Sequence, residues 1–199
     1  MRMLILSSLL VLLAACSPAS VPDVTYFRMP APTPLPRADK PLTTMPIVVR
    51  VFSGEGIYSE QALIYSLTPD AGSLRTYHYQ LWSDPPSREL QSRLTGMLRD
   101  SGIAPLVTER LPASDPALRV HGTIVRYERI KRDAGYVVDV AFEIRVEQGG
   151  GEPVIEKTYT AEAAAADTTI ATSVQAFGVA VDQVFAKFYA DLVGLTHAG

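Results

Sequence analysis

Residues 136–146 carry an apolar side chain at every second position, and this period sets the architecture that the chain can adopt. Successive side chains of a β-strand point to opposite faces, so a period of two predicts a strand with one buried face. The opposite face carries Asp139, Glu143 and Arg145 and is expected to contact solvent. A sheet that is covered on one face only is typical of antiparallel strands. The apolar positions are Tyr136, Val138, Val140, Phe142, Ile144 and Val146.

Further β-prone segments surround this strand, and short turns separate several of them. A Pro-Asp-Ala-Gly run lies at 69–72, and glycine-containing turns lie at 133–135 and 149–151. Turns of this length and composition join antiparallel neighbours in hairpins. The predicted strands are 25–29, 47–52, 62–67, 74–81, 106–107, 118–130, 136–146 and 154–161.

Two segments change to a helical period. Seven apolar residues follow one another at three- and four-residue spacings and predict a long amphipathic helix over 169–193. An earlier helix is predicted to start with Asp84 as N-cap and Pro85 as first helical residue, and to end at Gly102. Its apolar face consists of Leu90, Leu94, Met97 and Leu98.

From Ile47 onwards the element order is β-β-β-α-β-β-β-β-α. Because hairpins are favoured over crossovers here, we predict an α+β fold: a mostly antiparallel sheet with two amphipathic helices packed on it. The length suffices for one domain, which we assign to residues 24–195. Eight of the fifteen prolines lie between Pro18 and Pro46, and we expect that region to be extended and poor in regular structure.

The first sixteen residues predict secretion and lipid attachment. Arg2 precedes an apolar run that is too short to span a bilayer, and Leu13-Ala14-Ala15-Cys16 matches a bacterial lipobox. We therefore interpret 1–15 as a lipoprotein signal peptide, Cys16 as the lipidated residue and 16–23 as an acylated tether. Cys16 is the only cysteine, which leaves none for a disulfide. An ordinary cleaved signal is the alternative.

The residue after Cys16 bears on the membrane that holds the anchor. In enterobacterial lipoproteins an aspartate at that position favours retention at the inner membrane. Ser17 stands there instead, and it favours the outer membrane, with the domain on the periplasmic face. After removal of the signal no stretch is long enough to cross a bilayer, so the acyl chains are the expected attachment.

The sequence holds no recognisable catalytic, metal or phosphate-loop motif. The three histidines, His78, His121 and His197, are isolated from one another, and a zinc site needs clustered ligands. The formal net charge is −3 and no basic run is present, which argues against nucleic-acid binding. We predict a protein that is not an enzyme and needs neither metal nor cofactor.

Aromatic residues concentrate around the predicted hairpin and its exit. Amphipathic aromatic side chains are enriched at protein contact surfaces. Strand alternation assigns Tyr77 and Tyr79 to the core and leaves the exposure of Tyr58, Tyr65 and Trp82 open. We treat these last three as a candidate partner surface; the alternative is that they simply cover the sheet.

Taken in order, these features resemble the ABC-type transport auxiliary lipoproteins, and among them the PqiC-like intermembrane transport lipoproteins. The resemblance runs from Tyr26 to about Leu195 and includes the lipobox Cys16. It rests further on the Tyr-rich strand that reaches Trp82 and Pro85-Pro86, on Leu118-x-Val120-x-Gly122-x-Ile124, and on the long C-terminal helix.

The resemblance implies a non-enzymatic, lipid-anchored outer-membrane subunit of an MCE-type ABC system for lipid transport in the envelope. Its implied partner is the MCE substrate-binding protein, which it would dock. Direct contact with lipid and homo-oligomerisation stay open. The alternative function is a structural or assembly lipoprotein that scaffolds or activates another envelope machine, since one fold serves many functions.

Overall fold

The computed structural model describes residues 22–149 and 153–195, and within them it contains a nine-stranded sheet and two α-helices. Residues 1–15, Cys16 and most of the predicted tether lie outside the described residues. The strands are β1 (Thr25–Phe27), β2 (Ile47–Val49), β3 (Ser53–Gly54), β4 (Ala62–Ser66), β5 (Leu74–Trp82), β6 (Val107–Thr108), β7 (Leu118–Arg132), β8 (Gly135–Gln148) and β9 (Pro153–Ala164). The helices are α1 (Pro86–Ser101) and α2 (Ile170–Leu195).

Strands β7, β8 and β9 form the predicted run of consecutive antiparallel hairpins. The register of β7 and β8 extends from Leu118 opposite Gln148 to Arg132 opposite Gly135, and β9 pairs along most of the other side of β8. The alternation in β8 is confirmed, because Val138, Val140, Phe142, Ile144 and Val146 are all fully buried.

The sheet as a whole is mixed, and the prediction of a mostly antiparallel sheet is wrong. β7 pairs antiparallel with β8 along one edge, but its other edge pairs in parallel with β2, then β3, then β4. These three short strands follow one another in the same direction along β7. Residues 109–117 then return the chain from β6 to the start of β7, so that both run parallel to β2. The alternation within a strand is the same for either direction of its neighbour, which is why the pattern did not reveal this.

Both helices pack on the sheet and share one hydrophobic core with it. The predicted stripe of α2 is buried, and Phe177, Phe185 and Phe188 on this helix are fully covered. α1 ends at Gly102, whose φ of 70° lies in the left-handed region that glycine adopts readily. Its N-cap is Pro85, one residue after the predicted Asp84. Among the described residues, neither helix is long and apolar enough to cross a membrane.

The proline-rich segment, residues 28–46, contains no helix or strand and lies against both helices. Apart from β1, the described part of the predicted region, residues 22–46, is thus poor in regular structure, as expected, and residues 18–21 lie outside the described residues. Its backbone groups take part in hydrogen bonds with helix side chains, which fixes the segment despite its lack of regular structure. The bonds are Arg93 Nη1 to the Pro30 carbonyl (2.7 Å), the Thr33 amide to Asp182 Oδ2 (2.7 Å) and the Tyr189 hydroxyl to the Pro36 carbonyl (2.8 Å).

Candidate functional site

Trp82 lies in the core. Its side chain is 1% exposed and packs edge-on against Phe177, with 5.1 Å between the ring centroids. This corrects the inclusion of Trp82 in a partner surface, because its ring offers no area to a partner in the described structure. The reason lies in β5, whose last residue turns toward α2 where the strand leads into α1.

Tyr58 lies on the short 3₁₀ helix Gly56–Ser59 and is half-buried. Its hydroxyl donates a hydrogen bond to Glu128 of β7. Burial and this hydrogen bond raise the pKa of Tyr58, and burial raises the pKa of Glu128. Arg126 and Asp139 form an ion pair of 2.8 Å beside them. The polar end of Tyr58 is therefore occupied within the molecule.

Tyr65 is the predicted surface residue that the structure places in a cleft of other aromatic side chains. Its ring stacks on Tyr77, with 4.2 Å between the centroids and 30° between the planes. Tyr77 and Tyr79 were expected in the core, but both are only half-buried. The cleft has a volume of about 480 Å³. We call its lining, Tyr65 together with residues 75–80, the aromatic edge.

The aromatic edge coincides with an unpaired stretch of strand. β1 pairs only with the last three residues of β5, from Gln80 to Trp82, and β4 occupies the opposite side of β5. Within the described part of the chain, residues 74–79 therefore have no neighbouring strand on one side. Unpaired backbone amides and carbonyls at such an edge are a template for an added strand.

The other long marginal strand, β9, is protected by α2. Lys187 of that helix donates to the Thr160 carbonyl oxygen at 2.6 Å. Asp191 of α2 accepts from Lys157 at 2.7 Å and from Tyr159 at 2.9 Å, and these hydrogen bonds lower the pKa of Asp191. Charged side chains of this kind discourage edge-to-edge pairing. The two margins of the sheet thus differ: α2 protects β9, whereas residues 74–79 of β5 have no neighbouring strand on one side.

Arg129 supports the aromatic edge from inside the molecule. It is 2% exposed, and its Nη1 donates to the Tyr77 hydroxyl at 2.8 Å. Its Nε donates to Ser173 Oγ at 2.7 Å and its Nη2 to the Thr168 carbonyl at 2.6 Å. The guanidinium also lies over the Tyr136 ring, 3.2 Å from its centroid. These contacts fix the position of Tyr77 relative to the start of α2.

Sequence reasoning did not identify Arg129, Arg75 or His78 as part of a site. Arg129 could have been noticed as a charged residue within a run of buried β7 positions. Arg75 and His78 gave no such signal, because exposed polar residues are ordinary on a strand. His197 and Cys16 lie outside the described residues.

The arrangement brings together features that are found at binding surfaces. Within residues 22–149 and 153–195, no group of three or more histidine, cysteine, aspartate or glutamate side chains could hold a metal ion. The aromatic edge contributes stacked rings, one guanidinium and a strand edge, which are features that recognise another chain.

A comparison with protein families confirms the family resemblance that the sequence suggested. The model of the ABC-type transport auxiliary lipoprotein component family matches residues 30–187. The curated proteins contain no match.

Solved structures share the fold at low sequence identity. A protein from Xanthomonas campestris is 19% identical with a TM-score of 0.74, over 86% of this chain and 96% of that one. An uncharacterised protein is 15% identical with a TM-score of 0.63, over 87% and 98%. A hypothetical protein from Chlamydia trachomatis is 10% identical with a TM-score of 0.56, over 79% and 100%. At these identities the likeness shows the fold alone.

Proposed function

Because the chain belongs to the ABC-type transport auxiliary lipoprotein family, we propose that it is the PqiC-like outer-membrane subunit of an MCE-type ABC system for envelope lipid transport. In this role it is a non-enzymatic lipoprotein. It is held in the outer membrane by acyl chains on Cys16 and docks the MCE substrate-binding protein on the periplasmic side. The observation that carries the proposal is the family match over residues 30–187.

The aromatic edge is the surface that we propose for docking. It combines an unpaired stretch of β5 with the half-exposed rings of Tyr65 and Tyr77. A partner strand added there would gain backbone hydrogen bonds, and the rings would bury apolar area against it. Tyr58 is a weaker candidate for the docking surface, because its hydroxyl is already bonded to Glu128.

Site-specific photo-crosslinking in cells tests the docking. A crosslinking residue replaces Arg75 or His78, both of which are exposed on the aromatic edge, and a control replaces the exposed Glu162 on β9. We expect the two β5 positions to capture an MCE-domain protein and the β9 position to capture none. Capture of secretion or peptidoglycan proteins at β5 instead would favour the assembly-lipoprotein alternative and contradict the transport role.

The membrane anchor has a separate test. We expect Cys16→Ala to leave the domain folded and to release it from the membrane fraction, because a buried acyl chain contributes about 0.8 kcal/mol per methylene. Ser17→Asp is the matched change for sorting: it should move the lipoprotein toward the inner membrane in an enterobacterial host. A Cys16→Ala protein that stays in the membrane after a salt wash would contradict the lipid anchor.

A further inference from the structure

A cleft distinct from the aromatic edge lies where β2 leaves the sheet beside the start of α1. Its volume is about 500 Å³. Three arginines from three separate parts of the chain line it: Arg50 after β2, Arg88 in the first turn of α1, and Arg110 after β6. Glu109 is the one carboxylate in the lining. The chain has a formal net charge of −3, so this positive charge is a local feature.

These three arginines have no carboxylate partner among the described residues. Other arginines of the protein form ion pairs, for example Arg93 with Asp182 and Arg126 with Asp139, each at 2.8 Å. Glu109 accepts a hydrogen bond from Ser92 Oγ at 3.0 Å, and with three arginines against this one carboxylate the lining keeps an excess of positive charge. The guanidinium groups of the cleft are thus free to bind an anion.

His121 is a further polar residue of this cleft, with a side chain that is 44% exposed. It also lines the cleft, and its Nε2 is a buried polar atom without a hydrogen-bond partner in the described structure. Its Nε2 lies 3.7 Å from Glu147 Oε2, and the other oxygen of that carboxylate, Oε1, is bonded to Arg145 at 3.0 Å. The three arginines therefore carry the attraction for an anion, and His121 adds a polar side chain beside them.

We propose that this cleft binds a phosphate group, carried either by a lipid headgroup or by free phosphate. Guanidinium groups match the geometry of phosphate oxygens and remain charged at any physiological pH. The arginines converge on one concavity whose volume is in the range of small-ligand sites, about 300–1,000 Å³. A compact anion fits this arrangement better than an extended acidic chain, which would need positive charge spread along a surface. The proposal does not depend on the transport role.

Calorimetric titration of the full mature lipoprotein in neutral detergent tests the proposal. The probes are inorganic phosphate, dihexanoylphosphatidylglycerol below its critical micelle concentration, and hexaglutamate. The buffer has low ionic strength because salt screens exposed charges. The test variant is Arg50→Gln with Arg88→Gln. The control is Arg37→Gln with Lys40→Gln, which also removes two positive charges, from exposed residues outside the cleft.

We expect a phosphate-containing probe to bind, and the double variant to bind it at least about tenfold more weakly, because it loses two charged hydrogen-bond donors. The control with Arg37→Gln and Lys40→Gln should bind like the parent protein. Tighter binding of dihexanoylphosphatidylglycerol than of inorganic phosphate assigns a lipid headgroup, and the reverse order assigns free phosphate.

Three results would overturn the proposal: no binding of either phosphate probe, equal binding by the double variant, or tighter binding of hexaglutamate than of both. Replacing exposed arginines usually changes stability little. The fluorescence of buried Trp82, the only tryptophan, reports whether the double variant is folded.

Discussion

Arg93 of α1 and Asp182 of α2 form an ion pair inside the molecule, with 2.8 Å between Nε and Oδ1 and with side chains that are only 6% and 9% exposed. The same two residues hold the proline-rich segment, because Arg93 donates to the Pro30 carbonyl and Asp182 accepts from the Thr33 amide. One pair therefore joins two helices and a segment that has no regular structure of its own.

Breaking this pair should destabilise the fold strongly. Asp182→Ala leaves the Arg93 guanidinium buried without its counter-charge and removes the acceptor of the Thr33 amide, and we expect a loss of about 3–5 kcal/mol in the free energy of unfolding. Urea unfolding followed by Trp82 fluorescence measures it. Glu162→Ala is the control, because its pair with Arg132 is exposed (36% and 56%) and should contribute under about 1 kcal/mol. Equal losses in the two variants would contradict a special role for the buried pair.

The buried Glu128 predicts a pH-dependent stability. Burial and the nearby Asp139 raise its folded pKa, against lowering by the Tyr58 hydrogen bond and by Arg126. Because its pKa is higher in the folded state than in the unfolded state, Glu128 contributes most to stability when it is protonated, below its unfolded pKa. This contribution to stability is lost as the pH rises through the folded pKa. We therefore expect Glu128→Gln to raise the free energy of unfolding at pH 7.

The stability advantage of Glu128→Gln over the parent protein should shrink as the pH falls toward the ordinary pKa of a glutamate, about 4.3. Urea unfolding at neutral and acidic pH measures both values. Glu162→Gln serves as the exposed comparison and should show no such trend. A destabilised Glu128→Gln protein at pH 7 would mean that the ionised carboxylate is favoured by its surroundings.

Secondary structure could be predicted from the sequence because the signals are local. The alternation in β8 and the helical spacing of α2 each depend on one face buried against the same core. The direction of the strands could not be predicted in this way, because β2, β3 and β4 pair with β7 through contacts between residues that are far apart in the chain. Ile47 opposite Leu118 is an example.

The site was less predictable than the secondary structure, for two separate reasons. The register of β7 shifts between Ile124 and Arg126, and such a bulge breaks the alternation. Counting in steps of two from the buried Val120 would place Arg129 on the opposite face of the strand. Because of the bulge, Arg129 is buried instead. Trp82 was misjudged for a different reason: as the last residue of β5, its exposure depends on α2, which is distant in sequence.

The hydrogen bond from Arg129 to Tyr77 should position the aromatic edge. Tyr77→Phe keeps the ring but leaves one guanidinium N–H without its acceptor, and we expect a loss of about 1–3 kcal/mol in the free energy of unfolding. Tyr79→Phe is the matched control, because the ring contact of Tyr79 with His78 does not involve its hydroxyl.

The two variants also separate positioning from simple stability. If Arg129 orients Tyr77 for docking, the yield of photo-crosslinking from a crosslinking residue in place of Arg75 should fall in the Tyr77→Phe protein. It should stay unchanged in the Tyr79→Phe protein. Crosslinking that is the same in both would mean that the Tyr77 hydroxyl serves the fold alone.

Two helical glycines should respond to alanine in opposite directions. A Cβ at Gly178 of α2 would lie 2.5 Å from Pro30 Cγ, so Gly178→Ala must displace the proline-rich segment, at an expected loss of about 1–3 kcal/mol. A Cβ at Gly96 of α1 would meet nothing within 4 Å. Gly96→Ala should therefore stabilise the protein by about 0.5–1 kcal/mol through helix propensity. Urea unfolding of both variants checks the signs, and a stabilised Gly178→Ala protein would show that the segment is not held tightly against α2.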